Sequence, residues 1–207
     1  MIAIVDYGVG NLFSLKSSLG AIGAEAVVSK EEAVIRSAGK IILPGVGAFE
    51  DAMNKLRSSG LADVVVDEAK NGKPLLGICL GMQMLFEKSY EYGEHNGLGL
   101  IPGEVVPITN VIPHGLKVPQ IGWNSLNFNG KSSPIFKYIS NGDYVYFVHS
   151  YYASCDAEYR IATTEYGAEL TAAAAKNNVY GCQFHPEKSG SVGLNILRAF
   201  CESEAET

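Results

Sequence analysis

Apolar positions in the first half of the chain fall into short solid runs separated by stretches of helical spacing. Residues 2–5 form such a run, closed by Asp6-Tyr7-Gly8, which predicts a strand and a turn. Leu12, Leu15 and Leu19 then recur at three- and four-residue intervals, so 11–19 predicts a helix. Further apolar runs at 26–28, 41–43 and 75–79 predict strands, the second stopped by Pro44-Gly45. Between and after them, 49–56, 61–70 and 81–87 predict helices, with Asn71-Gly72 capping the one before residue 75. Buried strands alternating with helices point to an α/β fold with a mostly parallel central sheet.

From residue 97 onward the pattern changes. Runs at 105–108, 144–148, 160–164 and 170–174 read as strands separated by Gly and Asn turns, which predicts antiparallel additions to the sheet. A strand at 179–184 and a helix at 192–201 close the pattern. There is no internal repeat, linker or low-complexity segment, so the expectation is one domain over residues 1–207.

Composition narrows the function. Hydrophobic residues make up 47% of the 207 residues and charged ones 18%, which suits a packed globule. A net charge of -6, with no local Lys/Arg cluster, argues against a nucleic-acid binder. The most apolar stretch, 74–86, is too short to span a bilayer, and the start of the chain lacks the basic region of a signal peptide. Cys79, Cys155, Cys182 and Cys201 form no C-x-x-C pair and no metal spacing. Free thiols in a reducing cytoplasm are the simplest expectation.

The candidate chemistry centres on Gly77-Ile78-Cys79-Leu80-Gly81, where a predicted strand meets a predicted helix. This is the G-x-nucleophile-x-G elbow with Cys in place of Ser. A sharp strand-to-helix turn strains the nucleophile's backbone and demands small neighbours. It also aims the sulfur at a helix N-terminus, which favours the thiolate. His185-Pro186-Glu187 supplies a base and a carboxylate. Proline disfavours helix before it, so the tripeptide is expected to be extended, with His185 and Glu187 on one side and the carboxylate orienting the imidazole.

These pieces resemble the class I (triad) glutamine amidotransferases: Cys79-Leu80-Gly81-Met82-Gln83 together with His185-Pro186-Glu187. Within that family, Asp6-Tyr7-Gly8-Val9-Gly10-Asn11-Leu12, Pro44-Gly45-Val46-Gly47-Ala48-Phe49, Gly122-Trp123-Asn124 and Phe147-Val148-His149-Ser150-Tyr151 resemble the amidotransferase subunits of imidazole glycerol phosphate synthases. Gly190 departs from the pattern, which carries a bulkier polar residue after Lys-Ser.

The resemblance implies a flavodoxin-like amidotransferase fold and hydrolysis of glutamine to glutamate and ammonia through a Cys79 thioester, with no metal or organic cofactor. It implies oxyanion donors at the Leu80 backbone and in the 44–47 loop, at Val46 or Gly47. It implies glutamine contacts at Gln83, Ser150 and Tyr151. The implied partner is a cyclase subunit with a (β/α)8 barrel, forming a heterodimer, with Trp123 and Lys188 as candidate interface residues. The glycine-rich 44–47 loop suggests an amide that turns toward or away from the oxyanion, so that glutaminase activity is low without the partner. Two other readings stay open: the glutaminase of another synthase, of the vitamin B6 or anthranilate type, and a silent glutamine-sensing module.

Overall fold

The computed structural model describes residues 1–203; the last four residues of the expected domain, 204–207, lie outside them. The first half runs β1 (Ile2–Val5), α1 (Leu12–Ala21), β2 (Ala26–Ser29), α2 (Glu32–Ser37), β3 (Lys40–Gly45), α3 (Phe49–Ser58), α4 (Leu61–Lys70), β4 (Leu75–Cys79) and α5 (Leu80–Met84). The second half runs β5 (Phe86–Ser89), β6 (His95–Asn96), β7 (Ile101–Pro107), β8 (Gln120–Ser125), β9 (Tyr144–His149), β10 (Tyr151–Ser154), β11 (Arg160–Glu165), β12 (Glu169–Lys176), β13 (Val179–Cys182) and α6 (Gly190–Glu202).

The central sheet has seven strands in the order β11-β12-β13-β4-β3-β1-β2. Its middle is parallel, β13 beside β4, β4 beside β3, and β3 beside β1. The period of two along each strand sorts its residues between two cores. Ala3, Val5, Ile41, Leu43 and Leu75 pack under α2, α3 and α4. Ile2, Ile4, Ile42, Leu76 and Ile78 pack under α1 and α6. Both faces are thus covered, which is why these strands read as solid apolar runs rather than alternating ones. Phe49, Phe184 and Phe200 are fully buried in these layers, and truncating any of them to Ala costs about 3–5 kcal/mol.

The antiparallel additions arrive in two ways. β12 and β11 extend the central sheet next to β13. The remaining strands form separate sheets: a four-stranded one, β10-β7-β5-β6, and a hairpin of β8 and β9.

Helix α5 is shorter than the helix expected over 81–87. It stops at Met84, and Phe86–Ser89 enters the four-stranded sheet instead. The reason is tertiary pairing. The amides of Leu98, Gly99 and Leu100 donate to the carbonyls of Met84, Phe86 and Leu85, at 2.8, 3.1 and 2.8 Å, and so capture the chain that would have continued the helix. The break at Asn71-Gly72 falls where expected, with Gly72 at φ 87° and its amide bonded to the carbonyl of Ala69. Gly190, the departure from the family pattern, has φ 57° at the start of α6, a left-handed conformation that glycine adopts without strain.

Candidate active site

Cys79 is both the end of β4 and the residue before α5, at φ 55° and ψ -112°. A non-glycine residue there costs about 1–3 kcal/mol, which the surroundings must offset. They do so by close approach. A Cβ on Gly81 would sit 1.9 Å from the carbonyl oxygen of Leu43, and one on Gly77 would sit 2.7 Å from that of Gly81. Only glycines let β3, β4 and α5 converge at the elbow.

His185 leaves the end of β13, beside β4 in the sheet, so both chemical groups emerge at neighbouring strand ends. Its loop is pinned to β9: the His185 amide donates to the Tyr146 carbonyl at 3.0 Å, and the Tyr146 amide donates to Ser189 Oγ at 3.0 Å. The His-Pro-Glu tripeptide is not extended as expected. His185 is, but Pro186–Lys188 forms a single 3-10 turn that carries Glu187 back under the imidazole. Proline accounts for both, since it restrains the residue before it and starts a helical turn readily.

The resulting contact is Glu187 Oε1 to His185 Nδ1 at 2.8 Å, with both side chains 3% exposed. Nδ1 donates to the carboxylate, which leaves Nε2 for the Cys79 sulfur. Burial alone would lower the basicity of this ring. Hydrogen bonds to Cys79 and Glu187, and the charges on both, outweigh burial and raise its pKa to about 9.

Sulfur and imidazole open onto a cavity of about 280 Å³. Val46, Gly47, Leu80, Gln83, Ser150 and Tyr151 also line it, so the residues expected at the oxyanion and substrate positions meet in one place. Glu187 lies behind the imidazole, lining with Asn11 a second cavity of about 10 Å³. Trp123 and Lys188 do not line the main cavity. Trp123 stands on the hairpin, 53% exposed, edge-on to Tyr146 at 6.0 Å, and Lys188 is exposed on the turn after Glu187.

Several residues of the site escaped sequence reasoning. Glu91 brings a carboxylate to the cavity wall and accepts the Phe49 amide at 2.6 Å, holding the start of α3. His149 is buried with Nδ1 2.7 Å from the Tyr151 carbonyl and Nε2 2.9 Å from Gln120 Oε1. Burial pushes its pKa down to about 4, so it is neutral near pH 7. Gln183, fully buried, reaches both Gln83 and Cys79. Pro44 and Gly45 do not stop the strand as expected but continue β3, paired with Ile78 and Cys79, so only Val46 and Gly47 of the expected 44–47 loop lie beyond it; Tyr7 donates to the Pro44 carbonyl at 2.7 Å and holds this strand end. Tyr7 and Asn11 were visible as parts of a motif, but nothing in their spacing assigned them a task. Among the described residues no cluster of His, Cys, Asp or Glu is arranged to hold a metal ion, and no helix is long and apolar enough to cross a membrane.

A strained cysteine elbow beside a His-Glu pair, at the strand ends of a doubly covered parallel sheet, is the candidate site of this fold. The chain belongs to the class-I glutamine amidotransferase family, whose model matches residues 3–203. Among its relatives, the imidazole glycerol phosphate synthase subunit HisH of Lactococcus lactis is 51% identical over 203 residues, covering 97% of this chain and 98% of the relative. The subunit of the same name from Caldanaerobacter subterraneus is 49% identical, covering 98% of each. A crystal structure of a glutamine amidotransferase, 20% identical, superposes with a TM-score of 0.75 over 98% of both chains. PurLQS from Thermotoga maritima, 19% identical, does so at 0.72 over 96% of both. At such identities the likeness concerns the fold.

Proposed function

We infer that this chain is the glutaminase subunit of an imidazole glycerol phosphate synthase, using Cys79, His185 and Glu187 as its catalytic triad. The observation that carries the reading is the 2.8 Å Glu187–His185 contact behind a thiol set on a strained elbow at a small cavity. In the reaction, His185 Nε2 holds the proton that Cys79 has given up, and the sulfur attacks the side-chain amide carbon of glutamine. The oxyanion accepts from the Leu80 amide, which as the first residue of a helix has no intrahelical partner, and from the Val46 or Gly47 amide. His185 then gives its proton to the departing nitrogen, and ammonia leaves. Water, deprotonated by the same imidazole, hydrolyses the glutamyl thioester to glutamate. Gln83, Ser150 and Tyr151 hold the substrate's amino-acid end, and Glu91 adds a carboxylate suited to its ammonium.

Ammonia near pH 7 is mostly protonated and no nucleophile, so it is best passed on within a complex. The relatives are named as subunits of such a synthase, and a cyclase with a (β/α)8 barrel is the partner this reading requires. The hairpin supports it. Ile121 and Trp123 are 60% and 53% exposed on one face of β8. They stand opposite Val148 and Tyr146 on β9, and Val148 reaches the cavity wall. An exposed apolar face leading to the cavity is where a partner would receive ammonia. Lys188 adds an exposed charge on the turn that carries Glu187. The Val46-Gly47 segment after β3 offers a point of control, because Gly47 sits at φ 90° and Val46 is 43% exposed beside the cavity.

Reconstitution with the cyclase tests the reading. Cys79→Ala should abolish glutamine-dependent synthesis yet leave synthesis from added ammonia intact. Glutamine-dependent synthesis by that variant would refute the assignment, as would full-rate glutaminase activity of the isolated chain for the partner-controlled loop.

A further inference from the structure

The sulfur of Cys79 has less help from its helix than the elbow motif leads one to expect. α5 is five residues long, so its dipole is that of little more than one turn. A thiolate in this buried setting needs donors close at hand.

We propose that Gln183 is a hydrogen-bond donor to the Cys79 sulfur, stabilising its thiolate through a side-chain network whose direction a backbone carbonyl fixes. This rests on the reading of Cys79 as the nucleophile.

The direction follows from counting donors and acceptors. The Tyr151 carbonyl can only accept, and Gln83 reaches it at 3.0 Å, so Gln83 must present its amide nitrogen. That nitrogen also lies 3.0 Å from the side-chain amide of Gln183, which must therefore turn its oxygen to Gln83. The Gln183 nitrogen is then left facing Cys79 Sγ, at 3.8 Å. Flipping Gln183 would set nitrogen against nitrogen at one end and oxygen against sulfur at the other. The position is equally determined. β13 and β4 run parallel with Cys182 paired to Ile78, so the next residues, Gln183 and Cys79, fall side by side. The Gln183 amide donates to the Ala172 carbonyl at 2.8 Å, and the residue is fully buried. A donor so enclosed acts on the developing charge without competition from water.

The network also restricts Gln83. Both hydrogens of its amide nitrogen are engaged, by Tyr151 and Gln183. Only its oxygen remains for a ligand, so Gln83 meets a hydrogen-bond donor of the substrate.

The test is the pH dependence of Cys79 alkylation by iodoacetamide, read by mass spectrometry of the Cys79 peptide. It compares the native chain with Gln183→Met and Gln183→Glu. The first keeps the bulk without the donor, and the second keeps the shape but replaces the donor with a carboxylate. Losing a charge-assisted hydrogen bond of ordinary strength should move the midpoint of the alkylation profile upward by about one pH unit in Gln183→Met. Gln183→Glu should move it further, and kcat/KM for glutamine should fall about tenfold or more in both. Unchanged profiles, with only a lower Tm or a raised KM, would reduce Gln183 to packing and overturn the proposal. Should neither variant fold, the side-chain amide resonances of Gln183 in the native chain provide the readout. They should shift on alkylation of Cys79, and no shift refutes the contact. Failure of the underlying reading looks different: glutamine would give Cys79 no protection from alkylation in the native chain.

Discussion

At His185, two neighbours overrule burial. The Glu187 carboxylate at 2.8 Å on Nδ1 and the charge and hydrogen bonding of the Cys79 sulfur on the other side of the ring together hold its pKa up at about 9. The carboxylate also selects the tautomer that points Nε2 at sulfur. Glu187→Gln keeps the shape but allows the wrong tautomer, so glutamine hydrolysis should fall by about 10²–10⁴-fold in kcat with little change in KM. Steady-state kinetics on the complex would show it. His149, on the neighbouring strand, behaves in the opposite way. With a folded pKa of about 4 against an ordinary 6.5, it is protonated in the unfolded chain but not in the folded one between those values. Stability therefore drops as pH falls from about 6.5 to about 4, by up to about 3 kcal/mol from this residue. Urea titrations across that range should show a shallower fall in His149→Gln than in the native chain. The candidate triad was legible because its motifs are local: a glycine-flanked cysteine after an apolar run, and a histidine two residues before a carboxylate. Gln183 and Glu91 were not, because each acquires its partners only when β13 and the segment after β5 meet α5 and α3 in space.

The elements of the central sheet were legible for the reason that stabilises them. β1, β3, β4 and β13 are buried on both faces and read as apolar runs, and α1, α3, α4 and α6 carry their apolar residues at helical spacing. Elements stabilised by partners elsewhere in the chain were harder to see. β8, Gln-Ile-Gly-Trp-Asn-Ser, has no apolar run and is a strand because β9 pairs with it along its whole length. α2, only six residues long, offers too few positions to show a period. α5 was overextended because nothing local marks Met84 as its end. The 3-10 turn at Pro186 was missed because proline's effect on the preceding residue was applied to the two that follow. The elbow itself gives a sharp contrast between two glycines. Gly81→Ala forces a Cβ to 1.9 Å from the Leu43 carbonyl and should destabilise the chain by about 3 kcal/mol or more. Gly190→Ala meets no neighbour within 4 Å and suffers only its φ of 57°, a cost of about 1–2 kcal/mol. Thermal unfolding of the two variants should rank them in that order.

For the whole molecule, the arrangement gathers Cys79, His185 and the Val148 end of the β8–β9 hairpin around one cavity. The first half of the chain supplies Cys79 and the Val46-Gly47 segment after β3; the second supplies His185, the Ser150-Tyr151 segment and the hairpin. Trp123→Ala should weaken the cyclase complex by at least about 2 kcal/mol, roughly a 30-fold rise in Kd, as expected of a central aromatic anchor. Its Tm should change little, because the side chain is half exposed and packs chiefly on Tyr146. Titration calorimetry and thermal unfolding together would separate the two effects. All of this chemistry starts at the sulfur of Cys79. Incubating the complex with an electrophilic glutamine analogue and mapping the adduct by mass spectrometry addresses it directly. A single adduct on Cys79 is expected, prevented by excess glutamine and absent from Cys79→Ala. Labelling of Cys155, Cys182 or Cys201 in its place, or an adduct on Cys79 that glutamine does not prevent, would contradict it.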